Sequence, residues 1–591
     1  MDLDSYTEKL TRHRPLPKFS GLEGKLHRFS PGERLVLYIL TALLAGSTFI
    51  LLAGANAAVS VDVPAVGGSL TEGVVGPARF INPLLTLSEP DADLSALVYS
   101  GLMRALPDGS LIPDLAESYD ISEDGTTYTF TLRANATFHD GSAVTSADVV
   151  FTVQKAQNPD IKSQHRADWE GVAVSAPDKQ TVVFKLPHPY APFLENTTLG
   201  ILPQHLWQNI SAEEFPFSPL NTHPVGSGPY RIAGLATDAT GSATRYTLAS
   251  FKQFTLGEPY LKKISFLFYP NEEGLVAAYN SGYIDSFAGI TPSEVSELKA
   301  DTSIVRTVLP RTFGIFFNQN KNTALADASA RDALNAAVDK QALVNEVLRG
   351  YGATLEGPIP PGLLGANVAA VPAPLEKHST FASSTPNAET ARTILLRGGW
   401  KFDDAAGAWK KGKNTLSFTL ATADEPELSH TAEILAASWR AAGIPVDVHV
   451  YSLSELNSTI IRPRAYDAVL FGEVVGRTLD LFAFWHSSQR NDPGLNLALY
   501  ANVKVDALLS DARATTDGKE REKLYTQFAS LVQKDAPAVF LYAPDFLYVV
   551  PPKLHGAALG ALTSPAERFA NVYQWYTETE RVWNIFSDKT N

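Results

Sequence analysis

The sequence predicts an α/β ectodomain carried behind one membrane-spanning helix. Three observations point there. A run of 27 residues without formal charge, Leu35 to Val61, follows a basic N-terminal segment. Period-two alternation, as in Thr127 to Leu132 (TYTFTL), suits a half-buried strand. Strand, helix and strand patterns then succeed one another between Leu416 and Phe471, the order of a βαβ unit with a parallel sheet.

The uncharged run exceeds the roughly 20 apolar residues a spanning helix needs. Lys9, Arg12, Arg14, Lys18, Lys25, Arg28 and Arg34 all precede it. The positive-inside bias therefore keeps residues 1–34 cytoplasmic, makes 35–58 the anchor and puts the rest outside the cell membrane. A cleaved signal peptide is the rival reading, because Ala55-Asn56-Ala57 is an A-x-A-like site. The long leading segment and long apolar run favour an uncleaved anchor.

Beyond the anchor, Asp124-Gly125 and Asp140-Gly141 signal turns. Thr145 to Asp148 has capping-box spacing before the apolar stretch VVFTVQKA, which predicts a helix start. Thr181 to Leu186 reads as a strand ending at Pro187. Gly226-Ser227-Gly228-Pro229-Tyr230 predicts a tight turn; it lacks the longer spacing of a phosphate-cradling loop. Leu428, Leu435 and Trp439 keep helical period up to Gly443, a usual helix stop, and Asp339 suits the cap of a helix from Lys340. Alternation from Ile444 to Val450 and the YDAVLF run at Tyr466 to Phe471 complete the α/β pattern.

Net charge is −14, and residues 35–591 hold 42 basic against 58 acidic side chains. Such a chain repels phosphate backbones, so nucleic acid is not an expected partner. The absence of Cys excludes disulfides, thiolate metal sites and a Cys nucleophile. No H-E-x-x-H, G-x-S-x-G or dinucleotide fingerprint is present, and His139, His188, His205, His223 and His486 stand apart in sequence. No catalytic, cofactor or metal site is expected.

Leu115 to Thr152 combines a strand ending in Leu-Arg, an Asp-Gly turn and a helix opening Ala-Asp-Val. Around it, in order, stand Asn82-Pro83-Leu84-Leu85, Val225 to Tyr230, Tyr279 to Asp285, Phe317-Asn318, Arg331 to Leu334, Val338-Asp339-Lys340, Gly399-Trp400, Tyr466-Asp467 and Pro537 to Phe540. In these pieces the chain resembles the peptide/nickel-type solute-binding proteins of ABC importers, the group of dipeptide- and oligopeptide-binding proteins. The resemblance implies a two-lobed periplasmic-binding-protein-like α/β fold with an extra inserted domain. Lobe I would comprise 66–108, 221–312 and 538–591, the inserted domain 109–220, and lobe II 313–537. Crossing strands are expected near Thr307–Phe317 and Pro537–Tyr542.

The resemblance further implies capture of a short peptide, or a similar small solute, in the cleft between lobes. Delivery would be to ABC permease subunits, by a monomer held to the membrane through its N-terminal helix. The family's ammonium-binding acid follows the Tyr-Asp strand. Asp480 matches it, although Leu481 replaces the usual Pro; Asp480 as a helix cap is the alternative. Glu473 is a second acid nearby. Phe484, Trp485 and His486 are expected to line a side-chain pocket, with core packing the alternative for the aromatic pair. Arg477 is the nearest cation for a carboxylate. A receptor for a nickel complex or oligosaccharide, a sensor or adhesion ectodomain, and a tethered hydrolase stay open as other readings.

Overall fold

The computed structural model describes residues 29–364, 385–476, 479–560 and 562–583; Arg477 lies outside the described residues. With no charge to interrupt it, the apolar run forms one helix, Pro31–Val59. Ser30 starts it through a capping box: its hydroxyl accepts from the Glu33 N–H, and the Glu33 carboxylate accepts from the Ser30 N–H at 2.8 Å. Pro31–Asn56 is long and apolar enough to cross a membrane. The chain then extends, and Ser60–Ala65 pairs antiparallel with Glu578–Trp583. Helix and ribbon form one compact unit, and Val66–Thr577 form another.

The second unit is organised by the strand Ala538–Val550, buried along most of its 13 residues. Its first half pairs with Arg311–Phe317, its second half with Ser303–Val308, both antiparallel. These two lines of backbone join two separate hydrophobic cores. Phe546, Tyr548 and Val550 belong to the core that holds Leu70, Phe266 and Trp575. Val539 to Ala543 belong to the core of Ile315, Leu420 and Trp439. The change of core falls at Leu309-Pro310 on one line and Pro544-Asp545 on the other. Proline has no N–H to give a ladder, but both prolines accept there: the Leu309 N–H donates to the Pro544 carbonyl at 2.9 Å and the Val475 N–H to the Pro310 carbonyl at 2.7 Å. The two cores define lobe I and lobe II.

Lobe II has the α/β order read from the sequence. Phe418–Ala423 lies parallel to both Val446–Tyr451 and Ala468–Val474. The helix Pro426–Ala441 turns Leu428, Leu435 and Trp439 inward, and the Trp439 indole N–H donates to the Leu334 carbonyl at 2.9 Å. Asp339 caps Lys340–Val347 by accepting from the Ala342 N–H at 2.9 Å.

In lobe I, Gly67–Val75 runs parallel to Leu261–Tyr269. The stretch 109–220 carries its own four-stranded sheet, in which Thr127–Leu132 lies between Ala116–Ile121 and Thr181–Lys185. Helix Ser146–Gln157 covers it, with Asp148 accepting from the Thr145 N–H at 2.8 Å. Its Phe130, Trp169 and Phe184 are continuous with the core of lobe I. The Gly226-Ser227-Gly228 turn is a place of close backbone approach. A Cβ on Gly226 would lie 2.1 Å from the Val98 carbonyl oxygen, and one on Gly228 would lie 2.6 Å from that of Leu97.

Candidate ligand cleft

Helix Glu89–Val98 starts at Ser88, whose hydroxyl accepts from the Asp91 N–H while Asp91 accepts in return. That start aims Glu89 into a cavity of about 770 Å³ whose wall also includes Ser95, Tyr99, Asp168 and the segment 563–570. Arg311, the first residue of a crossing strand, lines the same cavity. A smaller cavity of about 310 Å³ adjoins it through Ser88, Glu89 and Pro565 and reaches Glu272.

The floor is rigid. Arg568 is buried between two carboxylates, with Nη2 2.6 Å from Asp93 Oδ2 and 3.0 Å from Glu72 Oε1. Glu72 also accepts from the Tyr548 hydroxyl at 3.1 Å and from Ser286. Burial by itself would lower the Arg568 pKa; Asp93 and Glu72 outweigh it and raise it, so the guanidinium stays charged. Four pieces of chain, from strand 67–75, helix 89–98, strand 538–550 and the 565–569 turn, are tied here. Arg104 is likewise occupied, by Asp114 at 2.7 Å and the Ala570 carbonyl at 3.3 Å.

Against that floor, Glu89 and Arg311 stand out. Neither side chain makes a hydrogen bond or an ion pair with another described residue. The Glu89 side chain is open to the cavity yet ringed by protein, and burial pushes its carboxyl up. Asp93 and Glu272 add to the rise, while Arg568 and Arg311 oppose it. Across the cleft, Glu427 of lobe II is also pushed up, first by burial and then by Glu272 of lobe I. Two buried hydroxyls on the cavity wall, those of Ser95 and Tyr99, have no hydrogen-bond partner among the described residues.

The residues expected from the sequence belong to lobe II, and none of those described lines this cavity. The Asp480 carboxylate is held by Arg513, Nε to Oδ1 at 2.8 Å and Nη2 to Oδ2 at 2.6 Å. The Tyr190 hydroxyl donates to Asp480 Oδ2 at 3.1 Å, and the Phe482 N–H donates to Oδ1 at 3.3 Å. Asp480 therefore accepts from the first N–H of the short helix Phe482–Trp485, whose N-cap is Leu481, and ties lobe II to the 109–220 region. The Ala191 N–H donates to the Arg513 carbonyl at 2.8 Å and reinforces that tie.

Glu473 is 2% exposed on the strand Ala468–Val474, and neither of its carboxylate oxygens has a hydrogen-bond partner among the described residues. Burial holds its carboxyl well above the usual range. The Trp485 indole N–H faces it and offsets part of that cost without reaching hydrogen-bond geometry. Trp485 is wholly buried, and Phe484 packs on the lobe II core. His486 stacks on Phe482 at 4.0 Å, and its Nδ1 lies 2.8 Å from Ser488 Oγ. Sequence reading missed Glu89, Arg311, Ser95, Tyr99 and Arg513. The one local signal that points toward any of them is the helix-start pattern Ser88-Glu89-Pro90, and that pattern serves capping as well as binding.

The family model for "Bacterial extracellular solute-binding proteins, family 5 Middle" matches residues 110–494. The chain is 26% identical over 548 residues to the oligopeptide-binding protein AppA of Bacillus subtilis, covering 92% of this chain and 97% of that one. The solved structure of B. subtilis AppA in complex with a nonapeptide covers 87% of this chain and 99% of its own, at 25% identity and a TM-score of 0.63. NikZ from Campylobacter jejuni in complex with Ni(L-His) covers 86% of this chain and 99% of its own, at 27% identity and a TM-score of 0.64. These relatives are binding proteins and not enzymes. A two-lobed α/β fold with its cavity beside paired crossing strands, and a family match spanning most of the chain, agree: the chain belongs to family 5 of the bacterial extracellular solute-binding proteins, the substrate-binding proteins of peptide/nickel ABC importers.

Proposed function

We propose that this protein captures short peptides in the cleft and presents them to ABC permease subunits, as a monomer held outside the membrane by the helix Pro31–Val59. The observation that carries this reading is the pair of unpaired opposite charges on one cavity wall. Glu89 offers a carboxylate to an ammonium, and Arg311 offers a guanidinium fork to a carboxylate. A peptide with free ends supplies both groups. In a site shielded from water each ionised hydrogen bond is stronger than a neutral one.

The structure of a relative with a nonapeptide supports peptides as cargo, and that of a relative with Ni(L-His) makes a metal–amino acid chelate the second candidate. In this reading Asp480 and Arg513 form a latch between lobe II and the 109–220 region. An ammonium would reach Asp480 after displacing Arg513.

The test is native mass spectrometry of the purified full chain, followed by thermal shift of stripped protein with a peptide set. A peptide at 100 times its Kd adds about 2.7 kcal/mol of stability. Acetylating the N-terminus or amidating the C-terminus should each weaken binding roughly tenfold or more, as should Glu89→Gln and Arg311→Gln, since a charged hydrogen bond contributes about 1.5–3 kcal/mol. Equal binding of capped and free peptides would sink the assignment of Glu89 and Arg311. A shift restored by nickel–histidine and by no peptide would move the cargo to the chelate.

A further inference from the structure

The strand Glu578–Trp583 pairs with the six residues that leave the anchor helix, from Ser60 opposite Trp583 to Ala65 opposite Glu578. At the end nearest the helix, the Trp583 indole N–H donates to the Asn56 side-chain oxygen at 2.6 Å. Two rungs further out, Asp62 faces Arg581, with Oδ1 3.2 Å from Nε. Glu578–Trp583 is exposed at most of its positions, while Ser60–Ala65 is half-buried except at Val61 and Asp62. A bare two-stranded ribbon is marginal in water, and an exposed ion pair adds little to it. Open strand edges are also excluded from the hydrocarbon of a bilayer. The place that suits such a ribbon is the polar layer just above the hydrocarbon, where a half-exposed tryptophan is favoured. Continuity with the helix puts the ribbon there.

We propose that the C-terminal strand is a second element of the membrane attachment: it clasps the segment after the anchor helix, seats Trp583 in the lipid headgroup layer and keeps the helix from being cut away. The A-x-A-like site Ala55-Asn56-Ala57 is wound into the last turns of the helix, and Trp583 holds its Asn56 side chain. A peptidase takes its substrate as an extended strand, so cleavage requires unwinding these turns and stripping the ribbon. The inference rests on reading Pro31–Val59 as a membrane anchor.

The chain has no cysteine, which makes the test clean. In membranes carrying the full chain, Asp62→Cys with Arg581→Cys should form a disulfide on mild oxidation, leaving no thiol for a polyethylene-glycol maleimide. Terminating the chain after Thr577 should raise the fraction beginning near Ala58 several-fold and move that fraction off the membrane. Ligand-dependent thermal shift of the truncated chain verifies that the ectodomain still folds. Trp583→Phe should remove a component of tryptophan fluorescence that lipids brominated near the headgroup quench. The clasp is overturned if both cysteines stay reactive, or if the truncated chain remains intact and membrane-bound like the full one. A full-length chain that itself begins near Ala58 in the soluble fraction overturns the anchor reading and the clasp's role with it. An intact full chain with an intact truncated chain overturns the clasp and spares the anchor.

Discussion

At the scale of single residues, two acids in lobe II behave in opposite ways. Asp480 is engaged by Arg513, Tyr190 and the Phe482 N–H. Asp480→Asn should cost about 1–2 kcal/mol in urea unfolding, the range for a charged hydrogen-bond set that is partly exposed. Arg513→Gln should cost a similar amount. Neither should change the preference for free over capped peptides; a loss of that preference would restore Asp480 as the ammonium anchor. Glu473 has no such partner. Its folded-state pKa is raised above the ordinary 4.5, so the folded protein holds a proton that the unfolded chain releases. Stability from this group is complete below about pH 4.5 and is lost as pH rises toward the folded value. Glu473→Gln should therefore stabilise the protein at pH 7 and flatten the fall in melting temperature above pH 5. A variant as pH-sensitive as the parent would refute the assignment.

At the scale of elements, the Gly-Ser-Gly turn and the crossing strands matter most. The turn is legible as a turn, but its purpose is contact: Gly226 lets the chain press on the end of helix Glu89–Val98, which carries the cleft. Gly226→Ala forces a Cβ against backbone that cannot step aside and should destabilise by about 1–3 kcal/mol in chemical unfolding, the usual range for overpacking. It should also weaken peptide binding, because the displaced helix is the one that presents Glu89. The crossing strands were approximately placed by resemblance. Their pairing extends through 303–317 and 538–550, with a proline on each line where one core gives way to the other.

For the whole molecule, two cores joined by two strands make closure the natural response to cargo. Glu272 of lobe I raises the pKa of both Glu89 of lobe I and Glu427 of lobe II, and the like charges oppose approach of the lobes. A cationic group between them removes that opposition. Small-angle scattering should show a smaller radius of gyration with a free-ended peptide than without, and no change with an N-acetylated one. An equal contraction with both peptides would show that the acidic faces play no part in closure.

The sequence by itself determined the long uncharged helix, the α/β periodicity of lobe II, the caps at Thr145 and Asp339 and the family. Each depends on residues close in the chain, or on many short motifs kept in order. The tertiary structure decided which charges are free. Asp480 and Glu473 look alike in sequence, seven residues apart, yet one meets Arg513 and the other meets a buried indole. Glu89 and Arg311 come from distant segments and share a wall because helix Glu89–Val98 and a crossing strand converge on one cavity. The pairing of Glu578–Trp583 with Ser60–Ala65 joins the two ends of the described chain, and no local pattern encodes it. Periodicity records how each segment meets its own neighbours in the chain. Partnership between polar groups is settled by long-range packing, which brings some charges together and leaves others to a ligand.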